Sequence, residues 1–144
     1  MHFRASRSPL WSIVAAVALA ALIKFFFLDL ALVDGPSMLP TFKAGQPVLV
    51  LRIAYGIRLP QGLGAYLVRW ADPEPGDVVI AENPASQLPV IKRVAWTRPG
   101  PRQDGGLELW LLGDNGPDSL DSRSYGTVPV EDVAGKVLVL PSLP

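Results

Sequence analysis

The stretch LWSIVAAVALAALIKFFFL, residues 10–28, constrains this 144-residue chain more than any other segment. Whatever the rest folds into, this run must lie in lipid or be removed. From Leu10 to Ile23 a helix covers roughly 21 Å. Extended through Lys24 to Leu28 it reaches about 28 Å, enough to span a hydrocarbon core of about 30 Å with a small adjustment. Lys24 then sits near one interface, its stem in hydrocarbon and its ammonium snorkelling outward. Arg4 and Arg7 precede the run and favour an N-terminus inside with the body outside. A removable secretory signal also fits the charged start and the apolar length. KFFFLDLALV continues apolar, however, and no small-residue cleavage site with a polar start follows it. The expectation is a retained anchor: residues 1–9 cytoplasmic, 10–28 transmembrane, and 29–144 an extracytoplasmic β-rich domain in a single-pass arrangement.

Beyond Thr41 the pattern favours strands. Residues 47–53, 77–81, 89–96, 107–112 and 135–140 are short, rich in β-branched or other large apolar residues, and bounded by Gly, Pro, Asp or Asn. No interior segment sustains a helical period over three turns. The 15 prolines and 13 glycines suit a compact β fold with irregular loops. Residues 55–77 read as one long excursion between strands, or as a short edge hairpin around Gly62 and Gly64. Roughly 105 residues outside the membrane can bury one modest core and no second domain. The fold class expected is mainly β, an antiparallel catalytic sheet behind one N-terminal transmembrane helix.

Composition then removes whole classes of chemistry. The 13 basic residues balance 13 acidic ones, so no basic field points to nucleic acid. The chain has no cysteine, which excludes disulfides, thiolate nucleophiles and cysteine-rich zinc sites. Its single histidine is His2, so a Ser-His-Asp site inside the body is excluded as well. No ligand cluster implies a metal or any other cofactor.

A serine can still act if a neutral lysine serves as its base. Lysine's ordinary pKa of about 10.4 leaves less than about one part in a thousand neutral near pH 7. Apolar burial lowers that value by penalising the ammonium. Of Lys24, Lys43, Lys92 and Lys136, one has a suitable setting. In PVIKRVAW, strand alternation puts Val90, Lys92 and Val94 on one face and turns Arg93 to the other. The alternative is an exposed strand lysine with Arg93 as its solvated neighbour. Ser37, in LVDGPSMLPT, follows the apolar run closely, although serines after Gly-Pro ordinarily only shape turns. The third candidate stretch is GDNGPDSLDSRSYGTVP, residues 113–129. It can be a plain polar loop held by Asx turns. Asp121 and Arg123 can also point to the same side of it, with Ser119 nearby to exchange a hydrogen bond.

GPSMLPT around Ser37, PGDVVI at 75–80, IKRV at 91–94 and GDN…DSLDSR at 113–123, in this order behind an N-terminal anchor, resemble the type I signal peptidases. These are membrane-bound serine-lysine proteases that remove signal peptides. The resemblance implies Ser37 as nucleophile and Lys92 as general base. It implies that Ser119 hydrogen-bonds the lysine amine and that Asp121 and Arg123 pair to brace the site. The substrates it implies are secretory preproteins with Ala-x-Ala before the cut, processed through an acyl-enzyme. It also implies a mainly antiparallel fold with an apolar surface resting on membrane lipid, and no cofactor, metal or nucleic-acid partner. From their places beside the pair, Val33, Met38, Phe42 and Ile91 are expected to line small substrate pockets.

The chain departs from the family pattern at three points. Gly35 stands where some members carry a serine whose hydroxyl helps the oxyanion. RVAWTRPGPRQDGG is looser than the usual stretch after the lysine, and the large extra β domain of some members is absent. Rival readings are a peptidase dedicated to a conjugation or pilus system, a tethered β domain that binds without chemistry, and an inactive relative. Self-cleaving serine-lysine repressors share the dyad but carry a DNA-binding module in place of an anchor.

Overall fold

In a computed structural model, which describes residues 9–58, 66–101 and 106–138 apart from the side chains of 23–26, the apolar run forms helix α1 (Pro9–Phe26). Its large side chains Leu10, Trp11, Ile13, Val14, Val17, Leu19 and Leu22 are 51 to 71% exposed. The helix is therefore apolar around its circumference and is not packed into the protein's own core. Its 18 residues rise about 27 Å, and among the described residues no helix is long and apolar enough to cross a membrane. The helix stops two residues before the expected end of the span, because Leu28 already belongs to strand β1 (Leu28–Leu32). Pairing outcompetes the last helical turn there. β1 lies antiparallel to β2 (Pro47–Leu51) along its whole length, and Arg52 N–H donates to the Phe27 carbonyl at 2.9 Å.

The remaining strands are β3 (Gly56–Arg58), β4 (Tyr66–Arg69), β5 (Val78–Glu82), β6 (Pro89–Pro99), β7 (Leu107–Leu112), β8 (Val128–Pro129) and β9 (Val133–Leu138). Of the nine described strands seven form one sheet in the order β1-β2-β9-β5-β6-β7-β8, every neighbouring pair antiparallel. The mainly antiparallel expectation thus describes the fold. β3 and β4 pair separately, so the excursion after residue 55 is a hairpin, with the expected turn at Gly62 and Gly64 outside the described residues. β6 runs three residues past its expected end. A bulge at Ala95 re-registers it on β7, so that Trp96 faces and stacks on Trp110 at 5.1 Å between ring centroids. The polar stretch after β7 is more ordered than a plain loop. It holds a 3-10 turn at Gly116–Asp118 and the short helix α2 (Ser122–Tyr125), which is tied to β7 by the Leu111 N–H donating to Ser122 Oγ at 2.8 Å.

Both faces of the sheet are covered near its middle. On β5, Val79 and Ala81 join Val94, Leu109, Leu111, Val128, Val130 and Val133 in one buried cluster, while Val78 joins Val33, Met38, Phe42, Val48, Val50 and Val137 in another. Alternation along a single strand thus feeds two cores. Leu111 is fully buried in the first. Leu111→Ala is expected to cost about 2–5 kcal/mol of stability, the range for truncating a buried leucine. Urea unfolding of the detergent-solubilised chain measures this, and a loss below about 1 kcal/mol would mean that this cluster does not hold the sheet together.

Candidate active site

Ser37 occupies the turn between β1 and β2. Gly35 opens that turn with φ +72°, a left-handed conformation that suits glycine. Leu39 N–H then closes on the Pro36 carbonyl at 3.1 Å, and Phe42 N–H on the Met38 carbonyl at 2.9 Å. Val33, Met38 and Phe42 plug the turn into the second core, leaving Ser37 half-buried between them.

β6 brings the lysine. Lys92 stands opposite Val79 in register and shares the face of buried Val94, as alternation predicts. It is only 4% exposed, and its Nζ lies 2.8 Å from Ser37 Oγ. Burial pushes its pKa down from the ordinary lysine value, against the opposing pull of Asp121 and Asp114. The other described lysine side chains have different settings: Lys43 is exposed, and Lys136 pairs with Asp77 at 2.5 Å.

Two carboxylates frame this pair. Asp121 is 0% exposed and accepts the Gly113 N–H at 3.0 Å, Arg123 Nε at 2.8 Å and Arg123 Nη2 at 2.8 Å, while the Arg123 side chain stays 50% exposed. Burial alone would raise the Asp121 pKa; the guanidinium and the backbone donors outweigh it and hold the carboxyl far below the usual carboxylate range. The expected Asp121–Arg123 pair is therefore present. Asp114 accepts Arg93 Nε at 2.8 Å and Nη2 at 2.7 Å, together with the Thr41 hydroxyl. These bonds join β6, the residue after Gly113 and the far end of the Ser37 turn. Arg93 is no mere solvated neighbour, because it locks the strand carrying Lys92 to the loop facing it.

Ser119 departs from expectation. Its Oγ is buried and is not bonded to the lysine amine; it lies near the Asp121 carboxylate and helps to hold it ionised. It fills the space beside Gly113, where an added Cβ would stand 2.1 Å from it. The expected pocket residues come together in the second core. Val33, Met38 and Phe42 are buried, and Ile91, packed against them, alone keeps partial exposure. Arg93, Asp114, Thr41, Asn115 and Ser122 were not singled out from the sequence. Asp114 and Asn115 do lie in the polar run noted there, and alternation already turned Arg93 away from Lys92, but their partners lie in other segments.

Comparison with known proteins identifies the family. Residues 6–101 and 106–140 match the model of the family described as signal peptidase, peptidase S26. The mitochondrial inner membrane protease subunit 1 of Schizosaccharomyces pombe is 30% identical over 141 residues, covering 87% of this chain and 82% of that protein. Signal peptidase I of Bacillus caldolyticus is 25% identical, covering 91% of this chain and 88% of the relative. A probable signal peptidase I-1 of Synechocystis is 24% identical over 88% of this chain and 77% of its own length. The chain belongs to the signal peptidase, peptidase S26, family, and it is a serine peptidase.

Because Asp121 is held ionised far below its ordinary pKa, its contribution to stability is complete above about pH 4 and fades only as pH falls further. Asp121→Ala, which strips partners from the Gly113 N–H and from Arg123, is expected to lose about 1–3 kcal/mol at neutral pH. Urea midpoints at neutral and acid pH check this. A deficit that did not shrink on acidification would show that the charge is not what stabilises.

Proposed function

We propose that the chain is a membrane-bound endopeptidase that removes N-terminal signal peptides, cutting after Ala-x-Ala with Ser37 as nucleophile and Lys92 as general base. One observation carries the proposal: an almost fully buried lysine amine 2.8 Å from a serine hydroxyl. Neutral Lys92 takes the Ser37 proton as Oγ attacks the scissile carbonyl carbon, giving a tetrahedral oxyanion. Collapse breaks the C–N bond, and the proton on Lys92 passes to the leaving amine. Water, deprotonated in turn by Lys92, hydrolyses the ester and frees the serine. Asp114 with Arg93, and Asp121 with Arg123, hold the strand and the loop that frame the pair.

Attachment through α1 is supported by its apolar circumference, which no core of this protein covers. Only Phe27 separates that helix from β1, so the catalytic domain would stand at the bilayer surface, on the extracytoplasmic side if Arg4 and Arg7 remain inside. An extended preprotein would add to the strands flanking Ser37 by main-chain hydrogen bonds.

Ser37→Ala and Lys92→Ala, assayed in detergent on a preprotein with an Ala-x-Ala site, are each expected to lower cleavage about a thousandfold or more. Near-normal cleavage by either variant would remove the dyad and favour a binding domain or another nucleophile. Since burial lowers the Lys92 pKa, activity should be absent in acid and rise through a single ionisation below the ordinary lysine value of about 10.4. A pH–rate profile measures this, and a maximum near about pH 5 would point to a carboxylate base instead.

A further inference from the structure

One residue holds the nucleophile's turn from behind. The Asn115 N–H donates to the Ser37 carbonyl at 2.9 Å, and its Nδ2 donates to the Pro36 carbonyl at 3.2 Å. Asn115 is itself anchored: Nδ2 also donates to Asp118 Oδ2 at 3.0 Å, and its carbonyl accepts the Asp118 N–H at 3.1 Å.

A trans amide points its C=O and N–H to opposite sides, and the peptide bonds on both sides of Ser37 are trans. The Pro36 carbonyl shares one such plane with the Ser37 N–H, and the Ser37 carbonyl shares the next with the Met38 N–H. The Pro36 carbonyl also accepts the Leu39 N–H inside the turn, and holding it together with the Ser37 carbonyl on Asn115 turns both N–H groups away from Asn115. Among the described residues neither N–H has an acceptor. Successive unbonded backbone N–H groups attract negative charge. Residue 35 cannot supply a further donor from a side chain, because it is glycine with open space where a Cβ would stand. The aim of the backbone donors at the nucleophile is then decisive.

We infer that Asn115 is a positioning residue that orients the Ser37 N–H, with the Met38 N–H beside it, toward the oxyanion formed at Ser37. This rests on the Ser37–Lys92 reading above. Asn115 touches neither substrate nor the lysine; it sets the tilt of two peptide planes.

The test compares Asn115→Ala and Asn115→Asp with the wild-type full chain in detergent, using Ser37→Ala and Lys92→Ala as controls and an Ala-x-Ala preprotein as substrate. Asn115→Ala is expected to lower kcat about tenfold to a hundredfold, less than outright deletion of an oxyanion donor. KM should stay within about twofold and the acidic limb of the pH profile should not move, because the base is untouched. Asn115→Asp has the same shape but sets a carboxylate against the Pro36 carbonyl and Asp118, so it should lose more than the alanine variant. A peptide aldehyde ending in Ala-x-Ala, whose adduct on Ser37 carries the same oxyanion, should weaken in step with kcat/KM. Unfolding midpoints establish that the variants are folded, and Asn115→Ser replaces the alanine variant if that one is not. A kcat within about twofold of wild type, a loss confined to KM, a shifted acidic limb or an aspartate variant as active as wild type would each overturn the inference. If the two controls still cleave, the dyad reading fails first. If they are inactive while Asn115→Ala is normal, only this inference falls.

Discussion

A lysine amine kept out of water is the constraint on which the rest of this molecule turns. In solvent an ammonium beside a serine simply stays charged; enclosed between sheet and turn, its charged form is disfavoured and its proton is held less tightly. The enclosure has an energetic cost, because among the described residues no carboxylate is bonded directly to Lys92 to compensate a charge there. The two nearby carboxylates pull the other way, yet neither hydrogen-bonds the amine, and each is committed to an arginine of its own. The arrangement avoids a direct ion pair, which would have kept the lysine charged.

That enclosure is built from pieces distant in sequence. β6 contributes Lys92 on one face and Arg93 on the other. The loop after β7 contributes Asp114 to Arg93 and Asn115 to the Ser37 turn, and the turn returns Thr41 to Asp114. A closed ring of hydrogen bonds thus joins the strand with Lys92, the turn with Ser37, and the loop between them. Small rotations of any one segment are resisted by the other two. This tolerance matters, since a separation of a few tenths of an ångström decides whether a proton can pass.

How far the sequence disclosed this depended on whether a feature was local. The strand at 107–112 was legible to the residue, since leucines and a tryptophan run between a glycine pair and Gly113. Lys92 and Arg93 were separated by period-two alternation alone. β1 was not legible, because Leu28–Leu32 continues the apolar character of the helix before it and becomes a strand only by pairing with β2. The extension of β6 to Pro99 likewise depends on β7 across the bulge. At the site, Asp121 and Arg123 are near neighbours and could be paired from spacing. The partners of Asp114 and Asn115 are fixed by tertiary contact, which no window of sequence contains. Ser119 shows the reverse: a residue brought into view by its motif, whose hydroxyl is turned toward a glycine rather than the amine.

Gly113 carries a consequence beyond chemistry. A Cβ there would meet Ser119 Oγ at 2.1 Å and the Ser37 carbonyl at 2.6 Å, so three stretches of chain converge on one missing side chain. No single substitution at this position can be absorbed by a flexible tip, because one of the obstructing atoms is main chain. The polypeptide around the alcohol and the polypeptide around Gly113 are therefore not free to drift apart over generations. A change in the curvature of one must be matched by inheritance of a compatible change in the other, and the two stretches should diversify among descendants as a single unit.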